Sequence, residues 1–567
     1  MRSGTRSVQW GTSVWIAGLA LAGLALGIGS ADARNGDAPM SFVVPVTQET
    51  EVAKIAMPSV DVDAYIQEDE ERMASGYDGP VRFAVPHYVL VDLTEAGTLD
   101  LLDNGARIWR LRIESPGAFS LNFGFTTYAL PAGATVHFYP ADQPEGDLYW
   151  DGPHTAADAV EQEFWSPVVP GDEVVVELYV PAGAEFEPQL VVGQVNHDYT
   201  GFGKLRDDTQ QGWCNNDVIC PEGDPWRDEI RSEGVYTLNG YWTCSGQLLN
   251  SVNPEPPPYF LTANHCGVST GNDHTMRVYW NYESPQCGML GGGDLQQSQM
   301  GVTRLASYYA SDFCLVELNV EPDPEFDVYY SGWDATESNS PGECTAIHHP
   351  NCDEKAISFN YDPLTVTSYL GYSVPGDGTH WRVDEWEDGT TEPGSSGSGI
   401  WDENHRLVGQ LHGGYASCSS ITSDWYGRLS RSWTGGGSAS NSLQPWLDPG
   451  DLGVLVLDGS EPGGSSSVED DLATRRGGLL PVVPNPAAGS ASVRFELTRA
   501  ARVGMEVVDV TGRIVHQAPV RAYNPGGWQV QWDGVDQDGT EVPAGVYYVR
   551  MSIDGKLADS GKIVLVR

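Results

Sequence analysis

The chain has 567 residues with 78 acidic against 31 basic ones, a net charge of −47, which repels nucleic-acid phosphates and anionic lipid surfaces and sets both aside as partners. The acids are spread along the chain and form no tail, as a soluble extracellular protein requires. With 66 glycines and 37 prolines, many turns between short strands are expected, and so an all-β fold.

Arg2 and Arg6, an apolar run from about Val14 to Ile28, and Ala31-Asp32-Ala33 read as a secretory signal peptide over 1–33, too short for a membrane span and followed by a small-x-small cleavage site. The mature form is therefore expected to have no membrane span. Residues 34–204 read as a β-rich domain: "RIWRLRIES", "ATVHFYP" and "DEVVVELYVP" have strand composition and are bounded by Pro/Gly turns. This stretch carries no cluster of chemistry-bearing residues. Its place between a signal peptide and a cysteine-rich domain suggests a propeptide that assists folding or blocks the site. The polar joint "GFGKLRDDTQQGW", with Lys204 and Arg206, suits a processing loop.

All nine cysteines fall between Cys214 and Cys418, which marks 205–456 as one disulfide-stapled domain of an exported protein. A Gly/Ser/acidic linker follows over 457–477. Residues 478–567 read as a small sandwich, with strands "SVRFELT", "VGMEVVDV", "WQVQW" and "GVYYVRMSI".

Chemistry concentrates in the cysteine domain. In "YFLTANHCG" an apolar strand ends at His265, with Cys266 beside it; in "YYASDFCLVELN" Asp312 directly precedes an apolar strand, placed to turn its carboxylate inward toward an imidazole. In "TEPGSSGSGI" the glycines let the chain turn sharply around Ser396, leaving the Gly394 and Ser396 N–H groups free to hold an oxyanion. A flexible linker would not run straight into "GIWDENHRLVGQLHGG", a strand, turn and second strand. The order His265, Asp312, Ser396 is that of chymotrypsin-type enzymes and differs from the subtilisin and α/β-hydrolase orders. His348 and His349 in "AIHHPN" are rival bases, but precede a proline without a strand exit or a matching carboxylate.

These residues lie in a stretch, about 209–449, that resembles the secreted bacterial lysyl endopeptidases of the trypsin-like clan. The likeness rests on "CNNDVICPEGDPWRDEIR", "YFLTANHCG", "VYWNYESPQC", "SDFCLVELN", "AIHHPNCDEKAIS", "TEPGSSGSGIWD", "VGQLHGGYASC", "SDWYGR", "SWTGGG" and "WLDPG". It implies a double β-barrel serine endopeptidase acting on protein or peptide substrates, with His265 as general base, Asp312 as its orienting partner and Ser396 as nucleophile. It further implies Asp424 as an anionic pocket floor and Thr391 on the pocket wall. Gly413 and Gly414 would pair with extended substrate, with His412 near the triad. Cleavage after lysine, with arginine weaker, is implied. The implied disulfides are Cys214–Cys418, Cys220–Cys287 and Cys244–Cys266. Outside that pattern, Cys344 and Cys352 are expected to bridge a hairpin and Cys314 to stay unpaired. Gly399 replaces the family's usual proline, and Tyr372 stands near where the family has a tryptophan by the site. Neither a metal nor an organic cofactor is required.

The C-terminal segment is similar to the immunoglobulin-like modules of flagellar hook-capping proteins and to type IX secretion sorting domains, through "PNPAAGSASVRFEL", "VVDVTGRIV" and "QWDGVDQDGTEVPAGVYYVRM". That resemblance implies secretion or cell-surface attachment machinery as a partner, alongside the chain's own propeptide. "DGVDQDG" lacks a full calcium loop and reads as a hairpin turn. The alternatives are a protease of the same fold with Arg or Glu preference and a catalytically silent extracellular adhesin or binding module.

Overall fold

The computed structural model describes residues 36–143, 148–202, 211–253, 255–289, 291–463, 479–483, 487–497, 500–509, 513–537, 539–553 and 556–566. The stretch read as a signal peptide, Lys204, Arg206 and most of the stretch read as a linker lie outside these residues. Among the described residues no helix is long and apolar enough to cross a membrane.

Strands dominate, and they form three pairs of sheets. In the N-terminal domain, a six-stranded sheet containing Arg107–Glu114, Thr135–Pro140 and Glu173–Val180 faces a five-stranded one containing Ala84–Asp92, Ser120–Ala129 and Gln189–Asp198. Between them lies one core of Leu111, Phe123, Phe138, Val176 and Leu178, each fully buried or nearly so. The strand Arg107–Glu114 alternates less than its sequence suggests: Arg110 is buried, bonded to Asp100 at 3.1 Å and to the Thr47 carbonyl, because the strand Thr98–Leu101 and the chain near Thr47 cover that end.

The cysteine domain is built on two curled sheets, the double barrel expected. One contains Glu233–Leu238, Trp242–Leu249, Tyr259–Ala263 and Phe313–Leu318; the other contains Cys344–His348, Gly399–Asp402, Leu407–Gly414 and Asp424–Arg428. Their central strands are buried on both faces, which is why they read as continuous apolar runs. The second sheet extends to Val456–Leu457, and Ser460 still bridges Tyr330. The first residues of the stretch read as linker therefore belong to the cysteine domain.

The join between the first two domains is not a bare linker. Val81 and Arg82 pair antiparallel with Thr243 and Trp242 at the edge of the first barrel, and Phe83 and Phe202 are buried in one cluster with Tyr279 and Tyr282 of the cysteine domain. At the C-terminal end, three- and five-stranded sheets enclose a core that includes Phe495, Trp532, Met551 and Ile563. There "DGVDQDG" is a turn closed by the Val535–Glu541 bridge.

The bonds Cys214–Cys418, Cys220–Cys287 and Cys244–Cys266 are formed. Cys344 and Cys352 are free, buried thiols, as is Cys314, so the fourth bridge is corrected. The hairpin expected between Cys344 and Cys352 does not exist. Cys344 opens the strand Cys344–His348 opposite Asn360, and Cys352 sits beyond that strand's other end, in the connection to Ala356–Asn360. Five extended residues at about 3.3 Å each keep the two apart.

Candidate active site

Three strand ends meet between the barrels. Tyr259–Ala263 runs out into a single turn, Asn264–Cys266, whose Cys266 is bonded to Cys244 of the neighbouring strand. This holds His265 at the barrel rim. Asp312 immediately precedes Phe313–Leu318 with φ +55°, a left-handed conformation uncommon for a residue bearing a side chain. The turn aims its buried carboxylate back at the histidine. His265 Nδ1 lies 2.7 Å from Asp312 Oδ2, and the His265 backbone N–H donates to Oδ1 at 2.9 Å. One carboxylate thus fixes both the ring and the backbone that carries it. Burial alone would lower the His265 pKa, but the Asp312 charge, the hydrogen bond that His265 donates to it and the Asp78 charge reverse the direction and raise it.

Ser396 is half-buried in the turn between Thr391 and the strand Gly399–Asp402. Gly394 and Gly397 have φ of +97° and +88°. A Cβ at Gly397 would come within 2.4 Å of the Ser245 carbonyl, and one at Gly394 within 2.7 Å of Cys352 N, so glycine is required at both. The turn is laced to its surroundings: Ser245 N–H donates to the Ser396 carbonyl at 2.9 Å and Gly397 N–H to Leu411. His348, beneath it, bonds Ser395 Oγ at 2.8 Å and Ser358 Oγ at 3.1 Å. Among the described residues neither Gly394 N–H nor Ser396 N–H has a partner, and Ser396 Oγ forms no hydrogen bond with His265. Catalytic contacts of this kind commonly close only with substrate in place. Gly399 opens a strand where a Cβ would lie 2.4 Å from the Trp401 ring.

Asp424 is almost completely buried. Its Oδ2 accepts from Thr391 Oγ1 and Trp386 Nε1, each at 2.7 Å, and Oδ1 from Ala416 N at 3.4 Å. Burial pushes its carboxyl pKa up despite those donors. No cation lies within ion-pair distance among the described residues. Gly414 pairs with Asp424 across the sheet, and a Cβ there would meet the Asp424 carboxylate at 2.2 Å. Gly413, next to it, has φ +142°.

His412 stacks between two rings, Tyr369 at 3.5 Å and His265 at 5.4 Å. Its Nδ1 lies 2.8 Å from His380 Nε2, and its Nε2 lies 3.6 Å from Asp312 Oδ2 and 3.2 Å from Asp78 Oδ2. The ring packed here is Tyr369. Tyr372, expected near the site, is exposed and stands edge-on to Trp425.

A family model described as the lysyl endopeptidase C-terminal domain matches residues 209–427, and another, the lysyl endopeptidase N-terminal domain, matches 91–198. Both models describe lysyl endopeptidases, and over these residues the chain matches that family. It is a serine endopeptidase, and its substrates are proteins or peptides. It is similar to the lysyl endopeptidase of Pseudomonas aeruginosa, at 29% identity over 361 residues covering 59% of this chain and 74% of that one. Among solved structures it is similar to Glu endopeptidase in complex with MPD (16% identity, 38% of this chain and 92% of the other, TM-score 0.26). It is also similar to kallikrein-related peptidase 10 (15%, 36% and 93%, TM-score 0.25). Residues 484–556 match the FlgD Ig-like domain.

Sequence reasoning missed four further residues at the site, Asp78, Tyr369, His380 and Trp386. Trp386, at five residues before Thr391, was within reach of a search for indole donors near the pocket. Asp78 carries no local signal, because it arrives from the N-terminal domain. The rival bases His348 and His349 are fully buried with no carboxylate against either ring. His348 is pushed down to about 3 and His349 well below its ordinary value, in both cases by burial first, so both remain neutral props of the fold.

Proposed function

We propose that this endopeptidase cuts on the carboxyl side of lysine through a triad of Ser396, His265 and Asp312. Asp424 carries the specificity reading: a buried carboxylate held by three neutral donors, without a cation of its own among the described residues. An unpaired charge there is costly, and a substrate ammonium restores the balance. Gly414 at the mouth leaves room for that side chain.

With Nδ1 committed to Asp312, His265 presents Nε2 as the base. It takes the Ser396 proton as Oγ attacks the substrate carbonyl, then gives it to the leaving amine; water repeats the sequence on the acyl-enzyme. The free N–H groups of Gly394 and Ser396 serve the developing oxyanion. The apolar N-terminus and the three disulfides support export to an oxidising compartment. Residues 34–204 are then the propeptide, released by self-cleavage after Lys204, and the C-terminal module serves sorting or surface attachment.

The test is digestion of a mixed peptide library beside Ser396→Ala, every cut read by mass spectrometry. Serine-dependent cuts confined to the carboxyl side of lysine are expected. Serine-dependent cuts after other residues discard the pocket assignment, and no cuts from a processed chain favour a silent scaffold. Asp424→Asn is expected to lower kcat/KM on lysine peptides by roughly 10²- to 10³-fold. The same expression yields the mature N-terminus, which sinks self-processing if it lies elsewhere.

A further inference from the structure

One segment of the N-terminal domain crosses the catalytic cleft. It leaves the helix Val62–Ala74 and reaches the barrel edge at Val81–Arg82, and both ends are fastened. Arg72 stacks over Tyr77 at 5.1 Å and over Trp242 of the protease domain at 5.3 Å. Arg82 bonds Asp69 at 2.8 Å, and Val81 faces Thr243, two residues before Ser245, the donor to the Ser396 carbonyl.

Between these anchors Asp78 sits on the histidines. Its Oδ2 is 3.2 Å from His412 Nε2 and its Oδ1 3.9 Å from His265 Nδ1. The His412 bond and the His265, His412 and His380 charges outweigh burial and hold the Asp78 carboxyl below its ordinary pKa. Only Gly79 and Pro80 lie between Asp78 at the base and Val81 beside the nucleophile strand. Pro80 and Pro393, which precedes Gly394, line one pocket together with Arg72, Tyr77 and Tyr199. A Cβ at Gly79 would meet the Tyr77 ring at 2.3 Å. The chain runs from His412, which precedes Gly413 and Gly414, toward Thr243. A substrate whose acyl side pairs with those glycines runs the same way.

We propose that residues 78–81 lie in the cleft as the chain's own substrate analogue, and that His412 is the subsite that reads an acidic side chain on the residue just before the one cleaved. The self-segment is not turned over for two reasons on its face. Gly79 offers the Asp424 pocket no side chain, and Pro80 occupies the leaving side without an N–H. The His412 ring is preset for the task, pinned by His380 on one nitrogen and by Tyr369 on one face. An acidic side chain then gains a charge-assisted bond at a site that needs no rearrangement.

This inference rests on the proposed serine mechanism, and the experiment separates the two. Fluorophosphonate labelling of Ser396 is measured in the full-length chain, alone and with Asp78→Asn, Asp78→Glu and His412→Gln. On the secreted protein, kcat/KM is measured for matched peptides ending in Asp-Lys or Asn-Lys before the scissile bond. Labelling is expected to accelerate about tenfold with Asp78→Asn and much less with Asp78→Glu. The Asp-Lys peptide is expected to be preferred about tenfold, with the preference lost in His412→Gln. Equal labelling rates in wild type and Asp78→Asn, or a preference absent from wild type or surviving His412→Gln, overturn the inference and leave the triad standing. No labelling of any variant overturns the triad, and the inference with it.

Discussion

Two pairs of histidines lie within the same protease domain, and their surroundings give them opposite chemistry. His265 and His412 face Asp312 and Asp78; His348 and His349, behind the Ser396 turn, face serine hydroxyls and a backbone carbonyl. Burial pushes every imidazole toward the neutral form, and only a nearby carboxylate reverses the direction. His265 therefore has the means to carry a proton, whereas the second pair shapes a turn. Neither outcome is written in the residue type.

The most severe way to break that contrast is Asp312→Asn. It keeps the shape but lets His265 take the wrong tautomer, and kcat/KM is expected to fall by about 10⁴-fold with an unchanged circular dichroism spectrum. A loss below tenfold removes Asp312 from the role. Next comes His348→Ala, which leaves Ser395 and Ser358 hydroxyls without a partner in a buried site. A stability loss of about 2–4 kcal/mol by denaturant titration is expected.

His265 and the buried pair His348 and His349 also predict opposite pH trends. His348 and His349 have depressed folded values, so the stability they confer is present above their unfolded pKa near 6.5 and is lost as pH falls toward about 3 for His348. His265 has a raised value, so its contribution is complete below 6.5 and lost as pH rises through the folded pKa. His348→Gln, which retains hydrogen bonding without titrating, is expected to flatten the acid side of the stability curve. An unchanged curve would show that His348 does not set it. The smallest effect is Asp78→Asn in the full-length chain. It removes one of the influences raising His265, so the His265 titration followed by NMR is expected to move to lower pH, and no movement would break the contact.

The legible parts of the site were those set by local chain chemistry. Glycines around Ser396 are needed because neighbouring backbone leaves no space for a Cβ. His265 was legible as the residue where an apolar strand leaves the core, pinned by Cys266. Thr391 and Asp424 came through family resemblance, and the structure joins them by a direct bond. Two errors show where that kind of reading ends. Cys344 and Cys352 are close in sequence, yet an extended strand separates them. Tyr372 was expected near the site, but the turn after Thr365–Thr367 delivers Tyr369 to His412 instead.

By itself, the sequence determined the all-β class and the identity of the strand ends that carry His265, Asp312 and Ser396. Strand period, turn residues and cysteine placement act over a few neighbouring positions, so a linear string displays them. Only the tertiary structure decided which rings and carboxylates share a site. It brought Asp78 to His412 across 334 positions, and it left Asp424 buried with Trp386 and Thr391 as donors. Electrostatic effects depend on distance and on what excludes water, and both are fixed only when the sheets close on one another.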